Sequence, residues 1–321
     1  MFDSKAFFDL VDPKKNIIVA FSGGGDSAAL LHFCHELNQQ ELLYGNLSAI
    51  HINHSLNRDS DQWEEHCKIF CDERNIPFQS YGVNINVKKS GLESAARNAR
   101  YKIFEDILKA DDQLLMAHHA DDVAETILFR LFRGTGIDGL QGPMKRRTLG
   151  EGKLLRPLLG YNKSDLIKYL STNDIKFISD QTNFDDNQDR NYIRNEVLKM
   201  ASNRWPQANM QIQKTAELVS KHKKSYDFLL DQQFGDNIRG PKLHRKVLLD
   251  LEEDTCVEII RYWIKINNVA MPNKKIIGEI LKAFIYSSPS TRTKVNWSRA
   301  DNDQKSAFLT FCDGDLILNE K

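Results

Sequence analysis

No stretch of this chain stays apolar for the roughly 18 residues that a membrane-crossing helix needs, so no membrane is expected among its partners. The N-terminus, MFDSKAFFDL, carries Asp3 and Asp9 where a secretion signal needs cations and an apolar core, and the expected location is the cytoplasm. Cysteine is sparse and odd in number: Cys34, Cys67, Cys71, Cys256 and Cys312 suit reduced thiols better than a disulfide framework. Cys67 and Cys71 fit one helical face, but no Cys-x-x-Cys accompanies them, which favours half-buried thiols over a metal or redox pair. Net charge is also absent. The 44 basic residues balance 44 acidic ones, so any nucleic-acid surface must arise from local segregation of charge. Repeats and low-complexity tails are lacking too.

What is present is a chain of 321 residues, 41% hydrophobic, long enough that two domains are expected. Short apolar runs bounded by turn residues predict strands at Asn16–Phe21, Asn46–Ile52, Pro77–Val83 and Gln113–Ala117. Helical spacing between them predicts helices over Asp26–Leu37, Ser60–Asn75 and Leu92–Lys109. Such alternation implies an α/β fold with a doubly wound parallel sheet. The polar stretch DQTNFDDNQDR, Asp180–Arg190, marks a change of character, placing a boundary near Asn195: one domain over 1–195, a second, mostly helical one over 196–321. Beyond Ser287, short apolar alternations such as AFLTF and DLILN mix with turn residues.

The most informative segment runs from a strand through Ser22, Gly23, Gly24, Gly25, Asp26 and Ser27 into a helix. Three successive glycines let backbone N–H groups point inward, and the helix N-terminus adds positive potential, so the turn reads as a phosphate cradle. A tight strand-helix turn alone needs fewer glycines. A Walker loop is excluded because no lysine precedes Ser27. Gly23, Gly25 and Ala28 satisfy G-x-G-x-x-A, yet the second strand ends His51-Ile52-Asn53-His54, without the acid that a dinucleotide ribose requires.

A second constellation, HHADDVAET, follows the fourth strand. A helix starting near Ala120 puts Asp122, Glu125 and Thr126 on one face of its first turns, beside the edge where the glycine turn emerges. Carboxylates facing bound phosphates imply Mg²⁺. Asp121 and Asp122 equally suit helix caps, and both readings hold together. His118 and His119 lack zinc-site spacing, and His51 and His54 read as strand-end structure. In GLESAARNARYKIF, Arg97 shares a helical face with Tyr101 or Arg100, which suits a polyphosphate and a solvated surface equally. From Arg190 to Lys224, eight cations (Arg190, Arg194, Lys199, Arg204, Lys214, Lys221, Lys223, Lys224) stand against Glu196 and Glu217, a basic arm that also holds Trp205.

In order, SGGGDS, ESAARNAR, HHADDVAET, FRLFRGTGIDGLQG, LLRPLLGYNKSDL and DQTNFDDNQDRNYIRNEVL give the chain a resemblance that covers roughly the first 200 residues and fades beyond them. It resembles the tRNA(Ile)-lysidine synthetases, in the N-type ATP-pyrophosphatase (PP-loop) superfamily. SGGGDS is common to that superfamily, whereas R-G-x-G-x-x-G-L after H-x-x-D-x-x-E-T is much more particular. The sequence departs from the family at Asn53-His54-Ser55, usually Asp-His-Gly, and at Pro143, where Met is common. Longer members continue into another C-terminal module, which makes this chain a short form or a truncated one.

The resemblance implies an adenine nucleotide α-hydrolase-like fold and an ATP- and Mg²⁺-dependent ligase in two steps. The wobble cytidine of the CAU anticodon of tRNA(Ile) is adenylated at C2, and free L-lysine then displaces AMP to give lysidine, which changes decoding from AUG to AUA. On that reading Ser22, Gly23, Gly24, Gly25 and Ser27 hold ATP, and Asp26 caps the helix or joins Asp122 and Glu125 in holding metal. Asp122 and Glu125 also organise the amine, and Arg97 faces ATP or the adenylated base. Arg190, Arg194, Lys199, Arg204, Lys221, Lys223 and Lys224 reach toward tRNA. A homodimer is left open. The alternatives are tRNA thiolation by the same ATP chemistry, which commonly brings the Cys-x-x-Cys pairs absent here, and a nucleotide-dependent RNA-binding protein.

Overall fold

A computed structural model describes residues 2–54, 60–83, 92–178, 189–238, 240–298 and 306–320. The chain divides into two compact units, Met1–Lys221 and His222–Lys321.

In the first unit a short helix α1 (Ser4–Phe8) precedes β1 (Asn16–Ala20), α2 (Gly25–Gln39), β2 (Leu47–Asn53), α3 (Ser60–Asp72), β3 (Phe78–Gly82), α4 (Leu92–Ile107), β4 (Asp112–Leu115) and α5 (Ala120–Phe132). After α6 (Ile137–Leu140) come β5 (Arg146–Leu149), β6 (Gly152–Leu155) and α7 (Lys163–Thr172). The six strands form one sheet in the order β3-β2-β1-β4-β6-β5, parallel except for the β5 edge. Alternation along each strand sends side chains to opposite faces. Ile17, Val19, Ala49, Leu115 and Leu155 enter one core with residues of α2, α3 and α7. Ile50, Leu114 and Leu154 enter another with Tyr101, Phe104 and Leu108 of the α4 side. Both faces are therefore covered, as a parallel sheet requires, and the doubly wound expectation holds. The β5-β6 pair was not among the expected strands; RRTL, with a single apolar residue at its end, has no run for a pattern to catch.

The boundary between compact units lies after Lys221, later than the one expected near Asn195. Of the polar stretch Asp180–Arg190, residues 180–188 lie outside the described residues. Beyond them come α8 (Asp189–Tyr192), a π-helical turn (Ile193–Leu198), α9 (Lys199–Arg204) and the start of α10 (Ala208–Ile238). Ile193, Leu198 and Ile212 pack against Ala124, Leu128 and Phe129 of α5, and Ala216 joins Val123 and Ile127. That apolar contact ties the segment to the first unit.

In the second unit, the remainder of α10 is followed by β7 (Lys242–His244), α11 (Lys246–Leu249), α12 (Glu253–Ile266), α13 (Lys274–Ile280) and a π-helical turn (Leu281–Ile285), then β8 (Val295–Trp297), β9 (Ala307–Cys312) and β10 (Asp315–Glu320). Cys256, Ile259, Ile260, Trp263 and Ile264 recur at helical spacing and build the core face of α12. Besides its helices this unit carries an antiparallel sheet in the order β7-β10-β9-β8. The alternations noted in AFLTF and DLILN are its β9 and β10, joined at Asp313-Gly314 with φ of +50° and +89° as a two-residue hairpin requires.

Candidate active site

The glycine turn leaves the carboxyl end of β1 and is drawn in around Ser27. The Ser27 hydroxyl donates to the Gly24 carbonyl at 2.9 Å, accepts the Ser22 N–H at 3.2 Å and lies 3.1 Å from the Ser22 hydroxyl. Gly23 adopts φ of +83°, and its carbonyl accepts the Ile178 N–H at 2.9 Å, which pins the turn from behind. A Cβ on Gly23 would stand 2.8 Å from Ile178 Cδ1 and 3.0 Å from Cys67 Sγ, whereas one on Gly24 would meet only the Ser22 hydroxyl at 3.5 Å. Gly23 thus faces protein and Gly24 faces open space. Gly24 is also the N-cap of α2 and gives it no side-chain cap, so the first-turn N–H groups of that helix are disposed toward an anion.

Helix α5 begins beside this turn, with His119 as N-cap and the Asp122 carboxylate accepting the His119 N–H at 2.9 Å. The buried imidazole of His119 draws three carboxylates together. Its Nε2 lies 3.4 Å from Asp26 Oδ2 and 3.6 Å from Asp122 Oδ2, and its Nδ1 lies 3.4 Å from Asp121 Oδ2. The Nδ1 contact is one of charge, since that atom makes no hydrogen bond of adequate geometry. Burial opposes the imidazolium, but the carboxylates of Asp121, Asp26 and Asp122 outweigh it and push His119 up to about 10. Burial likewise works against the Asp26 carboxylate, yet His119, Lys163 and Arg194 hold its carboxyl below the usual range. One Asp26 oxygen, Oδ1, is enclosed and accepts no hydrogen bond.

Asp121 is fully engaged. It accepts the Lys163 N–H at 2.8 Å and the Asn209 amide at 2.5 Å. With His119 these partners overcome burial and hold its carboxyl at about 2. Glu125, one turn further, receives the Nε and Nη2 of Arg194 in a two-pronged ion pair, the second prong at 2.8 Å. Burial is the stronger influence and raises the Glu125 carboxyl despite Arg194. Arg194 also approaches Asp122 Oδ1 at 3.9 Å and sits on the π-helical turn, a backbone form frequent at functional sites. Beside this pair a cavity of about 210 Å³ is lined by Asp121, Glu125, Arg194, Lys199, Ser202 and Asn209.

The structure therefore brings Asp26, Asp122, Glu125 and Arg194 together and adds His119, to which sequence analysis gave no role. Its only signal was its place directly before the acids of HHADDVAET. His51, expected to be strand-end structure, is buried with Nδ1 2.9 Å from the Phe21 carbonyl. Arg97 joins a different group: its guanidinium donates to the Tyr101 hydroxyl at 3.3 Å and lies over the Tyr101 ring.

Of the residues expected to reach RNA, Arg194 is turned into the site, and Arg190 lies over the Phe129 ring at 5.7 Å. Lys199, Arg204, Lys214, Lys221 and Lys224 are exposed. Lys223 is not: it is buried and held by Asp227 and Glu258, each at 3.2 Å. As an RNA contact Lys223 is corrected to an internal ion pair, because an i,i+4 acid on its own helix and Glu258 of α12 claim its ammonium. Trp205, the aromatic residue of the basic arm, is 65% exposed.

A family model described as the PP-loop domain matches residues 3–201. The tRNA(Ile)-lysidine synthase of Legionella pneumophila (strain Lens) is 34% identical over 286 residues, 89% of this chain and 65% of that protein. The one from Coxiella burnetii is 36% identical over 275 residues, 85% of this chain and 61% of that protein. The chain thus spans less than two thirds of the length of these relatives. Among solved structures, the U34-tRNA thiolase NcsA from Methanococcus maripaludis with its [4Fe-4S] cluster aligns with a TM-score of 0.54 at 17% identity, covering 68% of this chain and 78% of that one, a likeness of fold. With the glycine turn, the parallel sheet and the matched span in agreement, the chain belongs to the PP-loop domain family.

Proposed function

We propose that this protein is an ATP-dependent ligase that joins free L-lysine to C2 of the wobble cytidine in the CAU anticodon of tRNA(Ile). The observation that carries the reading is the meeting of Asp26 from the glycine turn with Asp122 and His119 from α5, which puts a phosphate cradle and a carboxylate cluster at one sheet edge. The synthases from Legionella and Coxiella supply the substrate class. The cytidine C2 oxygen attacks the α-phosphate of ATP and pyrophosphate leaves; the lysine ε-amine then attacks C2, sheds a proton, and AMP leaves.

The residues suit these roles. Gly23, Gly24, Gly25, Ser22 and Ser27 hold the phosphates through N–H groups and hydroxyls. Mg²⁺ fits the enclosed, unsatisfied Asp26 Oδ1 with Asp122 nearby, and when bound it neutralises phosphate charge. Among the described residues no three His, Cys, Asp or Glu side chains form a metal cluster, so phosphate and water oxygens would complete such a site. Glu125 is unsuited to that shell, since Arg194 occupies both its oxygens. Its raised carboxyl suits it to take the proton of the attacking amine once Arg194 releases it. Among the described residues no helix is long and apolar enough to cross a membrane.

The test is incubation with ATP, tRNA(Ile) and lysine, followed by mass analysis of the nucleosides. The reading expects a nucleoside with the mass of cytidine plus lysine minus water, and AMP formed in step with it. ATP turnover without that nucleoside, or a thiolated one instead, overturns it.

A further inference from the structure

A second polar group lies at the same sheet edge as the glycine turn, and of its members the resemblance gives a role only to Arg97, leaving Tyr101, Arg147 and Arg156 without one. Tyr101 of α4 is buried, and guanidinium groups gather on it. Arg97 and Arg147 stand 4.7 and 4.9 Å from its ring centroid, and Arg97 and Arg156 donate to its hydroxyl at 3.3 and 3.4 Å. Arg156 is only 5% exposed. Its other donors end on neutral acceptors, His118 Nδ1 at 3.1 Å and the Met144 carbonyl at 2.7 Å. Among the described residues no carboxylate pairs with Arg97, Arg147 or Arg156.

The histidines nearby add nothing to offset this charge. Burial, then the charges of Arg156, Arg100 and Arg97, keeps His118 well below the usual histidine range. Burial and Arg100 lower His54 to about 4. His118 follows β4 and His54 follows β2, so the group lies where ligands of a parallel sheet bind. Fixed positive charge gathered out of water without a counter-charge is unfavourable unless an anion completes it. Three guanidinium groups gathered around one side chain carry more charge than a single carboxylate offsets, and the guanidinium group is suited to the oxygens of a phosphate.

We propose that Arg97, Arg147 and Arg156, arranged around Tyr101, form a second phosphate subsite separate from the glycine turn. The inference rests on the ligase reading, in which two phosphate-bearing substrates meet at this edge: ATP, and the RNA backbone beside the target cytidine. Either supplies the same chemistry.

The test uses the full chain with Arg147→Gln, on the half-buried edge strand β5, and Tyr101→Phe as a second variant, each checked for wild-type thermal unfolding. Affinities are measured for ATP and for an anticodon stem-loop, native or with one methylphosphonate on either side of the cytidine. Arg147→Gln is expected to weaken one of the two ligands about tenfold, and Tyr101→Phe the same ligand less. A methylphosphonate that weakens binding to the wild type but not to Arg147→Gln identifies the RNA phosphate; a loss confined to ATP identifies the nucleotide. Wild-type affinity of Arg147→Gln for both ligands overturns the subsite. Lysine transfer by the wild type, assayed in parallel, fails only if the ligase reading fails, so the two results separate.

Discussion

Asp26 at the head of α2 and His119 at the head of α5 face each other across the carboxyl ends of β1 and β4, with His119 Nε2 3.4 Å from Asp26 Oδ2. Among the described residues the imidazolium is the only cation that touches Asp26, Asp121 and Asp122 together. His119→Gln keeps the size but not the charge, leaves these acids to repel one another, and should cost on the order of 3 kcal/mol near pH 6. Because the folded-state value is raised, to about 10 from 6.5, the contribution of His119 is complete below 6.5 and fades as pH rises through about 10. The gap between wild type and variant in urea midpoint should therefore narrow steadily over that window. A gap independent of pH would falsify a charged His119.

Glu125 and Arg194 act as one unit in this geometry. Removing Arg194 strands a buried carboxylate, and removing the charge of Glu125 frees Arg194 toward Asp122, 3.9 Å away. Glu125→Gln and Arg194→Ala should each lower lysine transfer about 100-fold, and the double variant should be no worse than the poorer single one. Multiplied losses in the double variant would mean that the two residues work independently.

Much of this site is legible in sequence because its parts are local. SGGGDS dictates its own turn, and Asp122 and Glu125 share a face through the helical period alone. Their partners are the part that spacing cannot reach. Arg194 comes to Glu125 from 69 residues downstream because Ile193 and Leu198 pack on α5, and those apolar residues look like any helix. The same holds for Arg147 and Arg156, brought to Tyr101 by a β5-β6 hairpin with little periodic signal. In the second unit the signal was present: Asp313-Gly314 between AFLTF and DLILN is a hairpin sequence that composition alone reads as turn and alternation.

The glycines of the turn should separate fold from binding. Gly24 has ordinary φ of −71° and open space before it, so Gly24→Val should unfold within a few degrees of wild type while ATP affinity collapses. Gly23→Ala forces a side chain into φ of +83° and onto Ile178, and should lose about 1–3 kcal/mol of stability. Calorimetry with ATP, run beside thermal unfolding, distinguishes them. Native ATP affinity in Gly24→Val would move the cradle elsewhere.

The basic arm divides by burial. Lys221 and Lys224 are exposed, so replacing each by Ala should reduce the salt dependence of tRNA binding by about one phosphate contact and leave stability alone. Lys223→Ala should do the reverse, because Asp227 and Glu258 lose the ammonium between them. A loss of about 2 kcal/mol in unfolding free energy with an unchanged salt slope is the expected result. A flattened salt slope in Lys223→Ala would restore it to the RNA surface.

Trp205 offers a contact of another kind. It closes α9, its indole is 65% exposed, and Arg204 beside it is exposed as well. Since so little of the ring is buried, Trp205→Ala should change stability by no more than about 0.5 kcal/mol. If the indole stacks a base, the same change should weaken tRNA binding by about 1–3 kcal/mol, and Trp205→Phe should recover much of it. Stacking releases no counterions, so the salt slope should stay that of the wild type while the whole affinity curve shifts. Filter binding over a range of salt reads both quantities at once. Undiminished affinity in Trp205→Ala would leave the indole as bare surface, and a changed slope would mean that the substitution disturbed the neighbouring cations instead.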